Sequence, residues 1–173
     1  MNKREKGNNY AFIDGSNLHL GTTTVDFWEI DYKKLRIYLL NRFSIIKAYY
    51  FIGYIPSNES YRNLYHSLIK EGFILKFKRA EKDHNGEIKG NVDSELVLNT
   101  LIRENIFDKA LIIAGDKDYY CLLKYLFYKN KLLRVITPNI SRCPKLFKRS
   151  FVNNIMFPIS NIKEKIIYRE IYP

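Results

Sequence analysis

The chain has 173 residues, 46% of them hydrophobic, which suits a single domain with a real core and excludes wholesale disorder. Its 29 Lys and Arg outnumber 18 Asp and Glu, a formal net charge of +11 that favours a polyanionic partner, nucleic acid first. No apolar run reaches the length of a membrane span, the charged start Met1–Lys6 does not read as a signal peptide, and two cysteines make no disulfide framework, so a cytoplasmic protein is expected.

In chain order, Tyr10-Ala11-Phe12-Ile13 is a short apolar run that predicts a buried strand, with Asp14-Gly15-Ser16-Asn17 directly after it. Gly15 to Glu29 reads as a loop containing three consecutive threonines and the only tryptophan, Trp28. Asp31 reads as the N-cap of a helix through Arg42, with Leu35, Tyr38 and Leu39 on one face. Ile45 to Ile55 is rich in β-branched and aromatic residues and predicts a strand stopped by Pro56. Ser57 or Asn58 opens a helix carrying Tyr61, Leu64, Tyr65 and Leu68 and ending at Gly72. Phe73 to Lys78 is a third strand, and the basic stretch Arg79 to Gly90, with Asn85-Gly86 as its turn, reads as a hairpin or loop.

Asp93 then opens a helix reaching about Asn105. Ala110-Leu111-Ile112-Ile113 is an uncharged run of strand length, and Ala114-Gly115-Asp116-Lys117-Asp118 follows it. From Tyr119 the apolar residues recur at helical spacing, with Cys121 counted into that helix core. Leu132 to Thr137 predicts a fifth strand, Ser141 to Ser150 a short basic helix or loop, Asn154 to Phe157 an edge strand, and Ile162 to Tyr168 a last helix. This alternation means βαβ units and a three-layer α/β fold with a mostly parallel sheet of five to six strands.

Asp14, Asp116 and Asp118 each follow a strand, and Asp93 opens a helix that a right-handed crossover brings to the same edge. In open α/β sheets ligands bind at that carboxyl edge. Close carboxylates repel unless a cation neutralises them, and hard divalent ions such as Mg²⁺ or Mn²⁺ take carboxylate oxygens. No dinucleotide-binding or P-loop glycine pattern is present, and the three histidines have no Ser or Cys partner at triad-like spacing.

Three stretches, Phe12-Ile13-Asp14-Gly15-Ser16-Asn17-Leu18, Lys89-Gly90-Asn91-Val92-Asp93 and Ala114-Gly115-Asp116-Lys117-Asp118-Tyr119, together resemble the NYN domain family of the PIN-like nuclease superfamily. The resemblance spans about residues 10–157 of one 173-residue domain, leaving a C-terminal helix at about 160–170. It implies a Rossmann-like, PIN-like fold, a Mg²⁺ or Mn²⁺ site and hydrolysis of RNA phosphodiesters. Carried over by motif, Asp14, Asp93, Asp116 and Asp118 form the acidic site, and Asn17 holds a ligand water or a substrate phosphate. The chain departs from the family pattern at Asn99, where many relatives have Asp, at Ala114 for a frequent Ser, and at Tyr119 for a frequent Phe.

The chemistry fits the resemblance, since ions held by carboxylates supply a nucleophilic water, relieve charge on the phosphoryl oxygens and stabilise the leaving oxygen. Lys89 and Lys117 are candidate phosphate contacts, with Lys78, Arg79 and Lys82 and the segment Arg142 to Arg149 tracking the backbone. Tyr54 and Trp28 are candidate platforms for unpaired bases. The expectation is a metal-dependent endoribonuclease acting on single-stranded or structured RNA, with a homo-oligomer allowed. Its rivals are an RNA-binding module of the same fold without catalysis, weakened by Asn99, and a metal-dependent phosphatase of small esters. The phosphatase type wants Asp-x-Asp after the first strand, where this chain reads Asp14-Gly15-Ser16.

Overall fold

The computed structural model describes residues 7–79, 81–82, 88–89 and 92–169. The chain enters through β1 (Asn9–Asp14), a short helix α1 (Gly15–His19), a π-helical segment (Leu20–Val25) and α2 (Tyr32–Phe43). It continues through β2 (Ile45–Tyr54), α3 (Glu59–Lys70) and β3 (Phe73–Arg79). A two-residue antiparallel ladder, β4 (Glu81–Lys82) with β5 (Ile88–Lys89), precedes α4 (Asp93–Leu101). Then come β6 (Ala110–Ile113), α5 (Tyr120–Tyr128), β7 (Leu132–Thr137), α6 (Lys145–Lys148), β8 (Met156–Pro158) and the single turn α7 (Lys163–Ile166).

Six strands form one sheet in the order β3-β2-β1-β6-β7-β8, and every pairing in it is parallel. From β1 the chain winds outward to β2 and β3, then returns by α4 to β6, on the other side of β1. The strand order therefore reverses between β1 and β6, the place where such sheets bind ligands.

Alternation along β1 divides the core. Ala11 and Ile13 pack with Leu35, Leu39, Tyr65 and Leu68 of α2 and α3 on one face. Tyr10 and Phe12 pack with Leu96, Leu123 and Leu126 of α4 and α5 on the other. Each such large side chain, fully withdrawn from water, contributes about 1.5–3 kcal/mol.

The expected caps form: Asp31 accepts from the Lys34 amide and Asn58 from the Tyr61 amide. Four local expectations change. Residues 15–25 are helical rather than loop. Gly21 lies so close to Pro138 that a Cβ there would stand 2.6 Å from the proline Cβ, and Thr22 is buried with its hydroxyl donating to the Leu18 carbonyl. Packing, not propensity, holds this segment. Trp28 is buried in the α2/α3 core and offers no surface for stacking. Cys121 is exposed, because the buried face of α5 is Leu122, Leu123 and Leu126. The last helix is one 3₁₀ turn (Ile159–Ile162) followed by α7, after which Ile167 bridges to Ile30 in extended form. The Asn85-Gly86 turn lies outside the described residues.

Candidate metal centre

Asp14 is the last residue of β1, and strand alternation sends its side chain to the same face as Phe12. It is buried at 4% exposure. One carboxylate oxygen caps α1 by accepting from the Asn17 amide at 2.9 Å, and the other accepts from the Tyr119 hydroxyl at 2.9 Å. Tyr119, fully buried, also lies 2.5 Å from Asp93 Oδ1, so a single phenol bridges two carboxylates. A phenol carries one proton. With both acids ionised it serves only one of them; a proton on Asp14 completes the chain from Asp14 through Tyr119 to Asp93.

The electrostatics point the same way. Burial pushes the Asp14 carboxyl up to about 6; the Asn17 amide and Tyr119 hydroxyl pull it down, while the charges of Asp93 and Asp116 add to the rise. Burial, then Asp14 itself, pushes the Tyr119 hydroxyl far above the usual phenol range, so it stays a donor.

Asp116 follows β6 and caps the 3₁₀ turn Lys117–Tyr119, its Oδ1 accepting from the Asp118 amide at 3.0 Å. Asp93 is the first residue of α4. Ligand oxygens of Asp93, Asp116 and Asp118 all lie within 4.8 Å of one another, the first two half-buried and the third exposed. In an octahedral Mg²⁺ shell neighbouring oxygens stand about 3 Å apart and opposite ones about 4.2 Å, so this trio could hold a hard divalent ion by closing further or with water completing the shell. Asp14, expected as a ligand with the other three, is not part of this trio and is linked to it through Tyr119.

The other expected residues divide. Asn17 is half-buried, with its side-chain oxygen 3.1 Å from where a Cβ on Gly115 would lie, so it reaches the loop that carries Asp116. Lys117 is exposed beside the acids. Lys78 reaches the Ser94 hydroxyl at 3.4 Å, next to Asp93. The side chains of Arg79, Lys82 and Lys89 lie outside the described residues. Tyr54 is exposed at the carboxyl end of β2 and packs on Tyr65 and Phe77. Asn99 donates to the Glu95 carbonyl at 2.8 Å and accepts from Arg103 at 2.9 Å, spending its side chain along α4.

Tyr119 reads from the sequence as part of a family motif and an apolar helix face, and its part in the site rests on a hydroxyl that the fold places between two carboxylates. Arg142, expected within the basic segment Arg142 to Arg149, lines a cleft of about 240 Å³ with Asn17, Gly115 and Asn139.

Fold and site define a class: a Rossmann-like α/β protein whose carboxylates gather at the switch point of a parallel sheet. The sequence model of the NYN domain matches residues 10–153, and the chain belongs to that family, a PIN-like nuclease family. Its fold is similar to the crystal structure of a protein of unknown function from Vibrio parahaemolyticus, with a TM-score of 0.75 at 15% identity, covering 97% of this chain and 100% of that one. No curated protein matches. Among the described residues no helix is long and apolar enough to cross a membrane.

Proposed function

We propose that this chain is a metal-dependent endoribonuclease hydrolysing RNA phosphodiester bonds. The observation that carries the reading is the convergence of Asp93, Asp116 and Asp118, with Asp14 coupled behind them, in a chain of net charge +11. Asp93, Asp116 and Asp118 would hold Mg²⁺ or Mn²⁺. When bound, the ion supplies charge relief at the phosphate and an activated water.

The chain's own residues do the rest. Tyr119 fixes the Asp93 carboxylate by hydrogen bonding, and Asp14 fixes Tyr119. Asn17 presents its side chain over Gly115. Lys117, Lys78 and Arg142 neutralise phosphates near the acids, and on sequence alone Arg79, Lys82 and Lys89 are assigned the same role, so binding weakens steeply with salt.

The test is pure protein on labelled single-stranded RNA with and without Mn²⁺, alongside Asp116→Asn. The variant keeps shape and volume but loses a charge. It should fold as wild type, bind RNA at least as tightly because one anionic group facing the phosphates is gone, and lose cleavage by at least about 100-fold. Absence of metal-dependent cleavage by the wild type, on single-stranded and structured RNA alike, would instead make the chain an RNA-binding module.

A further inference from the structure

On the α2/α3 face of the same sheet edge lies a cavity of about 780 Å³, within the size range of small-molecule sites. α1 separates it from the acids. Ser16 and His19 line it from α1, Ser60 and Tyr61 from α3, and Glu29 and Tyr32 from the segment leading into α2. Its floor is aliphatic, including Ile52 of β2.

The chemistry of this wall is selective. Among the described residues no Lys or Arg lines it, although the chain carries 29 of them. A phosphate therefore finds no Lys or Arg there. Two tyrosine rings and an apolar floor suit a flat, uncharged aromatic group. The side chains of Ser16, His19 and Ser60 show no hydrogen bond to the protein among the described residues, so they are available to a ligand. Glu29 adds a carboxylate, an acceptor-only group, and exocyclic base amines and ribose hydroxyls are donors it can take.

Position supplies the link to the acids. Ser16, on the cavity wall, is two residues from Asp14, no more than about 7 Å of chain. Asp14 in turn reaches Asp93 of the trio through the Tyr119 oxygen, 2.9 Å from one and 2.5 Å from the other, so a strand whose phosphate lies at the trio has a neighbouring base within reach of the cavity across α1. We infer that this cavity is a nucleobase pocket. It takes an unpaired, amino-bearing base and its ribose from the strand held at the acidic edge, and so makes the protein select single-stranded nucleic acid. This rests on the ribonuclease reading only for where the phosphate goes.

The test is equilibrium binding of short labelled oligoribonucleotides of A, C or U, and of an abasic ribose-phosphate strand, at fixed salt in chelator so that nothing is cut. Wild type should bind the A and C strands more tightly than the abasic one by about 5- to 150-fold, the range of one stacked base. Tyr61→Ala removes an aromatic wall and Ser60→Leu narrows the cavity from an exposed position. Either should erase most of that preference and leave abasic binding as it was. Glu29→Gln, a surface change that keeps the fold, should shrink the advantage of A and C over U. Equal binding of base-bearing and abasic strands by wild type would overturn the pocket, as would full preference retained in both Tyr61→Ala and Ser60→Leu. Because the readout uses neither metal nor cleavage, an inactive wild type that keeps the base preference overturns the ribonuclease and leaves the pocket standing. An active enzyme without base preference overturns the pocket alone.

Discussion

Asp14→Asn should stabilise the metal-free protein, even though it removes an acid from the proposed site. The folded carboxyl titrates near 6 and the unfolded one near 3.8, a difference of about two units and thus up to about 3 kcal/mol. A folded-state value raised above the unfolded one gives stability that is present below pH 3.8 and lost as pH rises through 6. Asn does not titrate and escapes that loss. It also mends the hydrogen-bond chain: its oxygen still accepts from the Asn17 amide, while its NH₂ donates to the Tyr119 oxygen, freeing the phenol proton for Asp93. Of the groups facing position 14, the Asn17 amide and the Tyr119 hydroxyl favour the carboxylate, while burial, which outweighs them, and the charges of Asp93 and Asp116 favour a neutral side chain there. Thermal unfolding in chelator at pH 8 should show a gain of up to about 3 kcal/mol, a rise of about 6–12 °C for a chain of this size. At pH 5 the gain should be about half as large. Destabilisation at pH 8, or the same gain at both pH values, would refute the account of Asp14 as a buried, proton-short carboxylate.

Mn²⁺ should raise the melting temperature at pH 7.5, by about 2.7 kcal/mol of stability at a hundred times its dissociation constant. That rise should shrink below pH 6, where Asp14 holds a proton and the trio loses a neighbouring negative charge; a pH-independent shift would count against coupling through Tyr119. Asn99→Asp should leave cleavage within about twofold of wild type, because the side chain is tied to the Glu95 carbonyl and Arg103 and changes there stay local; a clear rise in rate would show that position 99 acts on the acids. Gly15→Ala should destabilise by about 1–3 kcal/mol or more, since its Cβ would stand 2.2 Å from Tyr50 Cε1 and 2.7 Å from the Phe51 carbonyl oxygen, in a packed core; urea unfolding with an unchanged midpoint would refute that clash.

Local chemistry wrote much of this protein into its sequence. Tyr10–Ile13 and Ala110–Ile113 are apolar without a break because both faces of their sheet are covered, and that pattern needs no tertiary information to read. Asp31 and Asn58 announce their helices because a cap is a contact three residues long. Asp14, Asp93, Asp116 and Asp118 stood out as acids at element ends.

Contacts between distant residues settled the rest. The pairing of β1 with β6 decides that Asp14 and Asp116 meet, and no short window of sequence contains that pairing. The helical path of residues 15–25 follows from Gly21 lying against Pro138, more than a hundred positions away, where local propensity reads a threonine-rich loop. Tyr119 counts as one more apolar residue by spacing, and only the fold sets its hydroxyl between two carboxylates from β1 and α4. The cavity beside α1 has no sequence signature, because its walls come from three separated segments whose free side chains converge only after packing. Secondary structure is set by neighbours a few residues apart; a site is set by where the sheet places its strand ends.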